Sequence, residues 1–427
     1  MKKFLKGIAV AAAATLALTA CGNGGDSGSA ETVNPADVKG EIVFQTWALT
    51  PKFQDYLDKV ISGFEEKYPG TTVKLQDQPG DGYSDKIVSQ ASTNTLPDVI
   101  NLPPDFGVAL AKQGLLADVS KLDPNLDSTY VKGALDAYRY KGVEGTYGFP
   151  WYLNTDISYW NTQMLQDAGL DTSSFPKTVD EQFEWAQKMK DATGGKSYLL
   201  SSKPGLADFV RAGIDVLNED GTEAVFNTDQ AAEILQKYVD AYQNGLYPSS
   251  VLNDDYLGNS KLFTQGEVAY TTGGGPAYKS FVTDNPSLEG KIGMSAALND
   301  TPPLYVQGIS IPESSQNKAT AVAFAQYLLS PENQLEFANL TNTFPSTTAS
   351  ADDPSLSKSD GTPEGDAKVL AFESLQKAKV LVPVEFNDAM NTIVNQQIAL
   401  AMKGSIEPKA ALDSAADQVN RLLKQQN

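Results

Sequence analysis

Between Glu144 and Asn161 the chain reads EGTYGFPWYLNTDISYWN, which sets Tyr147, Phe149, Trp151, Tyr152, Tyr159 and Trp160 among asparagine, threonine and aspartate. At 9% aromatic content overall, a stretch of this length should hold about two rings. Flat rings next to planar amides and carboxylates can stack on the apolar face of a small molecule and hydrogen-bond its rim. Catalytic chemistry is harder to find. The 427 residues contain no histidine and a single cysteine, Cys21, which removes Ser/His/Asp and Cys/His catalysis and imidazole-based zinc sites. Neither GxxxxGK[ST] nor GxGxxG occurs, and the GGG at 273–275 is not by itself a phosphate loop. A pair of carboxylates working as a glycosidase needs only a separation of about 5 to 10 Å. The 53 acidic residues leave that alternative open.

The ends of the chain say where these groups would work. Lys2, Lys3 and Lys6 precede an apolar run from Ile8 to Leu18, and LTAC follows at Leu18 to Cys21. The run is too short to cross a bilayer core of about 30 Å as a helix, so residues 1–20 are expected to be an export signal. A small-residue site ending in cysteine resembles the bacterial lipobox, in which the cysteine is lipidated. On that reading Cys21 carries a lipid and residues 21–39, small, polar and acidic, form a flexible tether. The formal charge of −20 and the presence of only three arginines, Arg139, Arg211 and Arg421, argue against nucleic acid as a partner, because phosphate binding needs clustered cations.

The elements that must position the aromatic stretch follow from spacing. EIVFQTWAL at 41–49 predicts a buried strand, Phe53 to Tyr68 a helix stopped by Pro69 and Gly70, and TTVKLQD a second strand. A helix from Tyr83, a short strand at 98–102 and a helix over 108–114 continue the alternation. Thr178 opens a capped helix that ends at Gly194, Thr228 to Tyr242 predicts another, and helices at 365–377, 387–403 and 407–425 close the chain; 351–368 reads as an exposed loop. This is an α/β pattern, and about 390 residues after the tether suggest two lobes. Trp160 in ISYWN and Trp185 in a helix read as packing residues.

Six segments in one order carry a family resemblance. They are FEEKYPGTTV at 64–73, LPDVINLPPDFGVALAKQGLLADVS at 96–120, GTYGFPWYLNTDISYWNTQMLQDAGLD at 145–171, PKTVDEQFEWAQKM at 176–189, LFTQGEVAYTTGGGPAY at 262–278 and GISIPESSQNKATAVAFAQYLLSPENQLEFA at 308–338. Together they resemble the carbohydrate-binding solute receptors of ABC importers, the family that includes the maltose-binding protein. The resemblance implies a two-lobed periplasmic-binding-protein-like fold with a ligand cleft between lobes, the first lobe taking 40–153 and 303–348 and the second 154–302 and 349–427. It implies a monomeric receptor with no cofactor, metal or catalytic residue, which captures a di- or oligosaccharide and passes it to the permease subunits of an importer. With the lipid on Cys21, it would sit on the outer face of the cytoplasmic membrane, as in Gram-positive bacteria.

A sugar needs rings to stack on and planar groups to bond its hydroxyls. Trp47, Trp151, Tyr152 and Tyr278 are the expected stacking residues, Trp47 because it ends a strand, where open α/β sheets hold ligands, and Trp151 because it stands between Pro150 and an Asn-Thr-Asp run. Asp77, Asp105 and Asn154 are the expected polar contacts, with Tyr305 and Asn387 completing the set. The chain departs from the maltose-binding pattern in three places. Asn154 stands where the family has a contacting glutamate, GPAY at 275–278 replaces GPW, and no tryptophan stands near VEFNDAMN, where Phe386 and Asn387 are the nearest candidates. These departures argue against maltose as the ligand. A surface glycoside hydrolase and a receptor for another solute, such as a peptide, are the alternatives.

Overall fold

The computed structural model describes residues 34–200, 202–252 and 258–426. The expected export signal, Cys21 and most of the tether lie outside the described residues. Nine strands are present among those residues: β1 Gly40–Trp47, β2 Thr71–Gln78, β3 Val99–Asn101, β4 Phe149–Asn154, β5 Ile157–Asn161, β6 Tyr270–Gly273, β7 Ile292–Ser295, β8 Tyr305–Ser310 and β9 Phe344–Pro345. They make a six-stranded sheet, ordered β2-β1-β3-β8-β4-β9, and a three-stranded sheet, ordered β6-β5-β7. In the larger sheet β1 runs parallel to β2 and β3, and the late strands β8 and β9 add antiparallel. The smaller sheet is antiparallel throughout.

Local signals account for most helices. Gln54–Lys67 buries Tyr56, Leu57, Val60 and Phe64 along one face, the spacing of a surface helix on a core. Val179–Thr193 opens on a reciprocal capping box between Thr178 and Glu181 and closes on Gly194 in the left-handed region. The helix expected at 108–114 instead runs Pro104–Lys112. Pro104 occupies the first turn, where a missing N–H is tolerated and the fixed φ suits a helix. The segment expected as a loop to residue 368 is helical from Pro363, with the Thr362 hydroxyl accepting from the Gly365 amide at 3.0 Å.

Two large cores flank the sheets. Ile42, Phe44, Phe64, Phe149, Ile309 and Phe324 pack in the first. Trp160, Phe226, Leu235, Met390, Leu412 and Val419 pack in the second, which the helices Asp229–Gln243, Asp388–Met402 and Pro408–Gln426 enclose. Trp160 is fully buried, stacked on Phe175 at 5.3 Å, and its indole N–H donates to Ser295 at 2.9 Å. A third cluster, with Leu153, Ile157, Tyr159, Val306 and Phe344, spans the place where one sheet gives way to the other. Only Thr155 and Asp156 separate β4 from β5 there.

Trp151 corrects a sequence expectation. It does not line a cleft: it is 0% exposed, stacked on Phe337 at 4.8 Å, inside the first core. Pro150 and the Asn-Thr-Asp run suggest an irregular crossing segment, whereas 149–154 is a strand flanked by β8 and β9. A register shift between Pro150 and Tyr152 accommodates the proline, which has no N–H for the ladder. Trp151→Ala should therefore cost about 3 to 5 kcal/mol of unfolding free energy. A denaturant titration with an unchanged midpoint would contradict this.

Candidate functional site

A cleft of about 840 Å³ opens where the two sheets meet. From the larger sheet come Tyr152 and Asn154 of β4 and Tyr305 and Gln307 of β8; from the smaller come Thr272, Gly273 and Gly274, the last beyond the end of β6. Asp156 of the two-residue link, segments 202–205 and 258–262, Gln265 and Asn395 are also part of its lining. The volume suits a ligand of two or three rings.

Register explains the convergence. Asn154 ends β4 directly opposite Tyr305, which begins β8. The Asn154 Oδ1 accepts from the Thr155 amide at 2.9 Å, leaving its NH2 group without a protein partner among the described residues. A Cβ on Gly274 would fall 2.7 Å from that Oδ1. The glycine run thus lets the end of β6 close on β4. Tyr305, 48% exposed, donates to Asp156 Oδ2 at 3.0 Å. Burial pushes the Asp156 carboxyl pKa up, and the Tyr305 bond and nearby Arg211 oppose that shift. Burial likewise raises the Tyr152 phenol, so the ring meets the cleft as a neutral hydrogen-bonding group.

The other expected site residues go elsewhere. Trp47 is half-buried, stacked on Tyr83 at 5.3 Å and donating to the Gly80 carbonyl at 3.0 Å. Asp105 is exposed in the first turn of Pro104–Lys112. Surrounding protein pushes its carboxyl up, and the backbone N–H groups of Asp105 and Phe106 counter this while Asp388 adds to it. Both belong to a patch beside Tyr83 and Phe106, outside the cleft lining. Tyr278 is a correction: it is 4% exposed in the third cluster with Phe281, because the turn at Gly274 to Pro276 starts a helix that points it inward. Asn387 is a second: its side chain accepts from the Met390 amide at 3.0 Å as the cap of Asp388–Met402. On that helix Asn395, not Asn387, reaches the cleft. The spacing of Asn387, Asn391 and Asn395 by four places three amides on one face, a signal that could have found it. Gln307, which accepts from Asn101 Nδ2 at 3.3 Å, left no such trace.

Asp77 is a further correction. Its Oδ1 accepts from the Thr46 hydroxyl at 2.6 Å and the Leu49 amide at 3.0 Å, and its Oδ2 from the Thr50 hydroxyl at 2.8 Å and amide at 3.1 Å. A carboxylate has about four acceptor sites, and this turn uses them all. The residue staples the loop after β1.

A family model for bacterial extracellular solute-binding proteins matches residues 59–407. The chain belongs to that family. The solute-binding protein is 26% identical over 239 residues to a binding protein of Brucella abortus, covering 54% of this chain and 56% of the relative. It is 28% identical over 198 residues to the maltooligosaccharide ABC transporter solute-binding lipoprotein of Streptococcus pneumoniae, covering 45% and 43%. The chain thus spans about half the length of these curated relatives. Among solved structures, a Synechococcus sp. MITs9220 protein assigned as an oligosaccharide periplasmic-binding protein superposes with a TM-score of 0.81 at 27% identity, over 90% of this chain and 99% of that one. The cyclic alpha-maltosyl-1,6-maltose binding protein of Arthrobacter globiformis shares the fold, with a TM-score of 0.75 at 22% identity over 91% and 100%. The solute-binding protein therefore has the two-lobed fold of periplasmic binding proteins.

The role of Asp77 can be tested by pH. Burial alone would raise its carboxyl, but the bonds from Thr46, Leu49 and Thr50 outweigh it and hold the pKa below the ordinary value. A depressed folded pKa adds stability that is complete above the unfolded value of about 3.9 and is lost as pH falls through the folded one. Asp77→Asn should be less stable than wild type at neutral pH, with the gap closing in acid. Denaturation curves showing the same gap at both pH values would contradict the staple.

Proposed function

We propose that the protein is a receptor that captures a di- or oligosaccharide and delivers it unchanged to the permease subunits of an ABC importer. The observation that carries this reading is the convergence, at the joint between sheets, of the Tyr152 and Tyr305 rings with the amides of Asn154, Gln307 and Asn395. Rings stack on the C–H faces of a sugar, and amides both donate to and accept from its hydroxyls. Two relatives that name a ligand point the same way, the Streptococcus pneumoniae lipoprotein naming maltooligosaccharide and a Streptomyces coelicolor protein 22% identical over 285 residues naming diacetylchitobiose, while a Pectobacterium atrosepticum protein 25% identical over 306 residues names sn-glycerol-3-phosphate. The first lobe takes 40–153 and 303–348 and the second 154–302 and 349–427, so that the cleft walls come from different lobes. The LTAC sequence supports anchoring through lipid on Cys21 at the outer face of a Gram-positive membrane, with the body acting as a monomer.

Binding without hydrolysis suits this lining better than the glycosidase alternative. Among the described residues, the cleft offers the carboxylate of Asp156, already bonded to Tyr305, without a second to serve as its acid or nucleophile partner. A thermal-shift screen of the body against mono-, di- and oligosaccharides tests the reading. A sugar at 100 times its dissociation constant should add about 2.7 kcal/mol of apparent stability and be recovered intact by chromatography after long incubation. No shift with any glycan would overturn the receptor, and turnover would put the hydrolase in its place.

A further inference from the structure

Charge is spread unevenly over the cleft. The wall from the larger sheet offers the phenols of Tyr152 and Tyr305 and the amides of Asn154 and Gln307, and no charged group among its described residues. The opposite wall, built on the smaller sheet, carries Lys203 and Lys261. Between the walls, on the two-residue link, stands Asp156, the single carboxylate of the described lining.

This inverts the balance of the chain. Acids outnumber bases 53 to 33 overall, yet the described lining has two lysines to one aspartate. That aspartate is already engaged: it accepts from the Tyr305 hydroxyl at 3.0 Å, and burial pushes its carboxyl up against the opposing effects of that bond and of nearby Arg211. Arg211 is itself paired with Asp208 at 3.1 Å, so those two cancel. Lys261 is exposed, and its ammonium meets no carboxylate among the described residues.

The neighbours of the two lysines narrow what they could hold. Ser202 precedes Lys203, Ser260 precedes Lys261, and all four line the cleft. An ammonium only donates, and a hydroxyl can turn to donate beside it. The complementary group is one whose oxygens only accept, a carboxylate or a phosphate, and bonds to such charged acceptors are roughly twice as strong as neutral ones. A molecule of net charge −20 repels anions from its surface, so a cleft that admits one must supply its own cations. We propose that the ligand is an acidic saccharide: its rings lie along Tyr152 and Tyr305, and an anionic substituent, a uronic acid carboxylate or a phosphate ester, is held by Lys203 and Lys261. The proposal rests on the sugar-receptor reading of the cleft and narrows it to a charged class.

Calorimetric titration with three matched pairs tests it: digalacturonate and its dimethyl ester, cellobiuronate and cellobiose, and trehalose 6-phosphate and trehalose. In wild type, at least one acidic member should bind about tenfold or more tighter than its neutral counterpart, and added salt should shrink that margin. Preference in the first two pairs assigns a carboxylate, and in the third a phosphate. Lys261→Met, a change at an exposed position, should melt like wild type and narrow the margin; Lys203→Met combined with it should abolish the margin. Tyr152→Ala should instead weaken both members of a pair alike. Lys261→Met and the salt series decide the matter if the double variant fails to fold. Equal binding of acidic and neutral members, or a margin that the lysine variants leave intact, overturns the anionic site and leaves the sugar receptor standing. Failure of all six compounds to bind wild type overturns the sugar reading and the anionic site with it.

Discussion

The hydrogen bond from the Thr155 hydroxyl to the Pro303 carbonyl, 2.6 Å long and fully buried, ties together the two passages between the sheets. The first passage is only Thr155 and Asp156 long, a span of about 7 Å at most. The second returns through Pro302 and Pro303 into β8, and it is joined to a third segment where Leu304 donates to the Lys379 carbonyl at 2.8 Å and Lys379 to the Pro302 carbonyl at 3.2 Å. Links this short allow the sheets to rotate about the joint and prevent them from sliding apart, the geometry of hinge closure around a ligand. The cleft sits on that joint. Asn154, Asp156 and Tyr305 are therefore both wall and hinge neighbour.

Much of the fold was legible because its signals are local. The capping box at Thr178, the apolar face of Gln54–Lys67 and the glycine stops are written within a few residues of where they act. The cleft was less legible, since its walls come from segments as distant as Tyr152, Ser202, Asn259, Gln307 and Asn395. Trp151 shows why. Its neighbours in sequence suggest a loop, but its burial is set by β8, β9 and Phe337, all more than 150 positions away. Asp77 and Asn387 misled for the opposite reason: polar residues at the end of a strand or start of a helix are as often spent on the backbone as offered to a ligand. The stretch 144–161 does carry the passage between the sheets, though Trp151, Tyr159 and Trp160 build cores on either side and Tyr152 alone of its rings lines the cleft.

The electrostatics divide in the same way. A chain of net charge −20 has a cleft whose described lining carries Lys203 and Lys261 against the single carboxylate of Asp156. The acidic excess lies on other surfaces, where it keeps the protein dispersed. The rest of the described polar lining is amides, phenols and hydroxyls, groups that pair with a ligand rich in hydroxyls.

The central claim is that a saccharide bound at the joint touches both sheets at once. Hydrogen exchange, measured with and without the sugar that most raises the melting temperature, tests it directly. The account predicts slowed exchange together at 152–156, 272–274 and 305–307, the three stretches that meet there. Slowing confined to the patch around Trp47 and Asp105, with the joint unchanged, would contradict it.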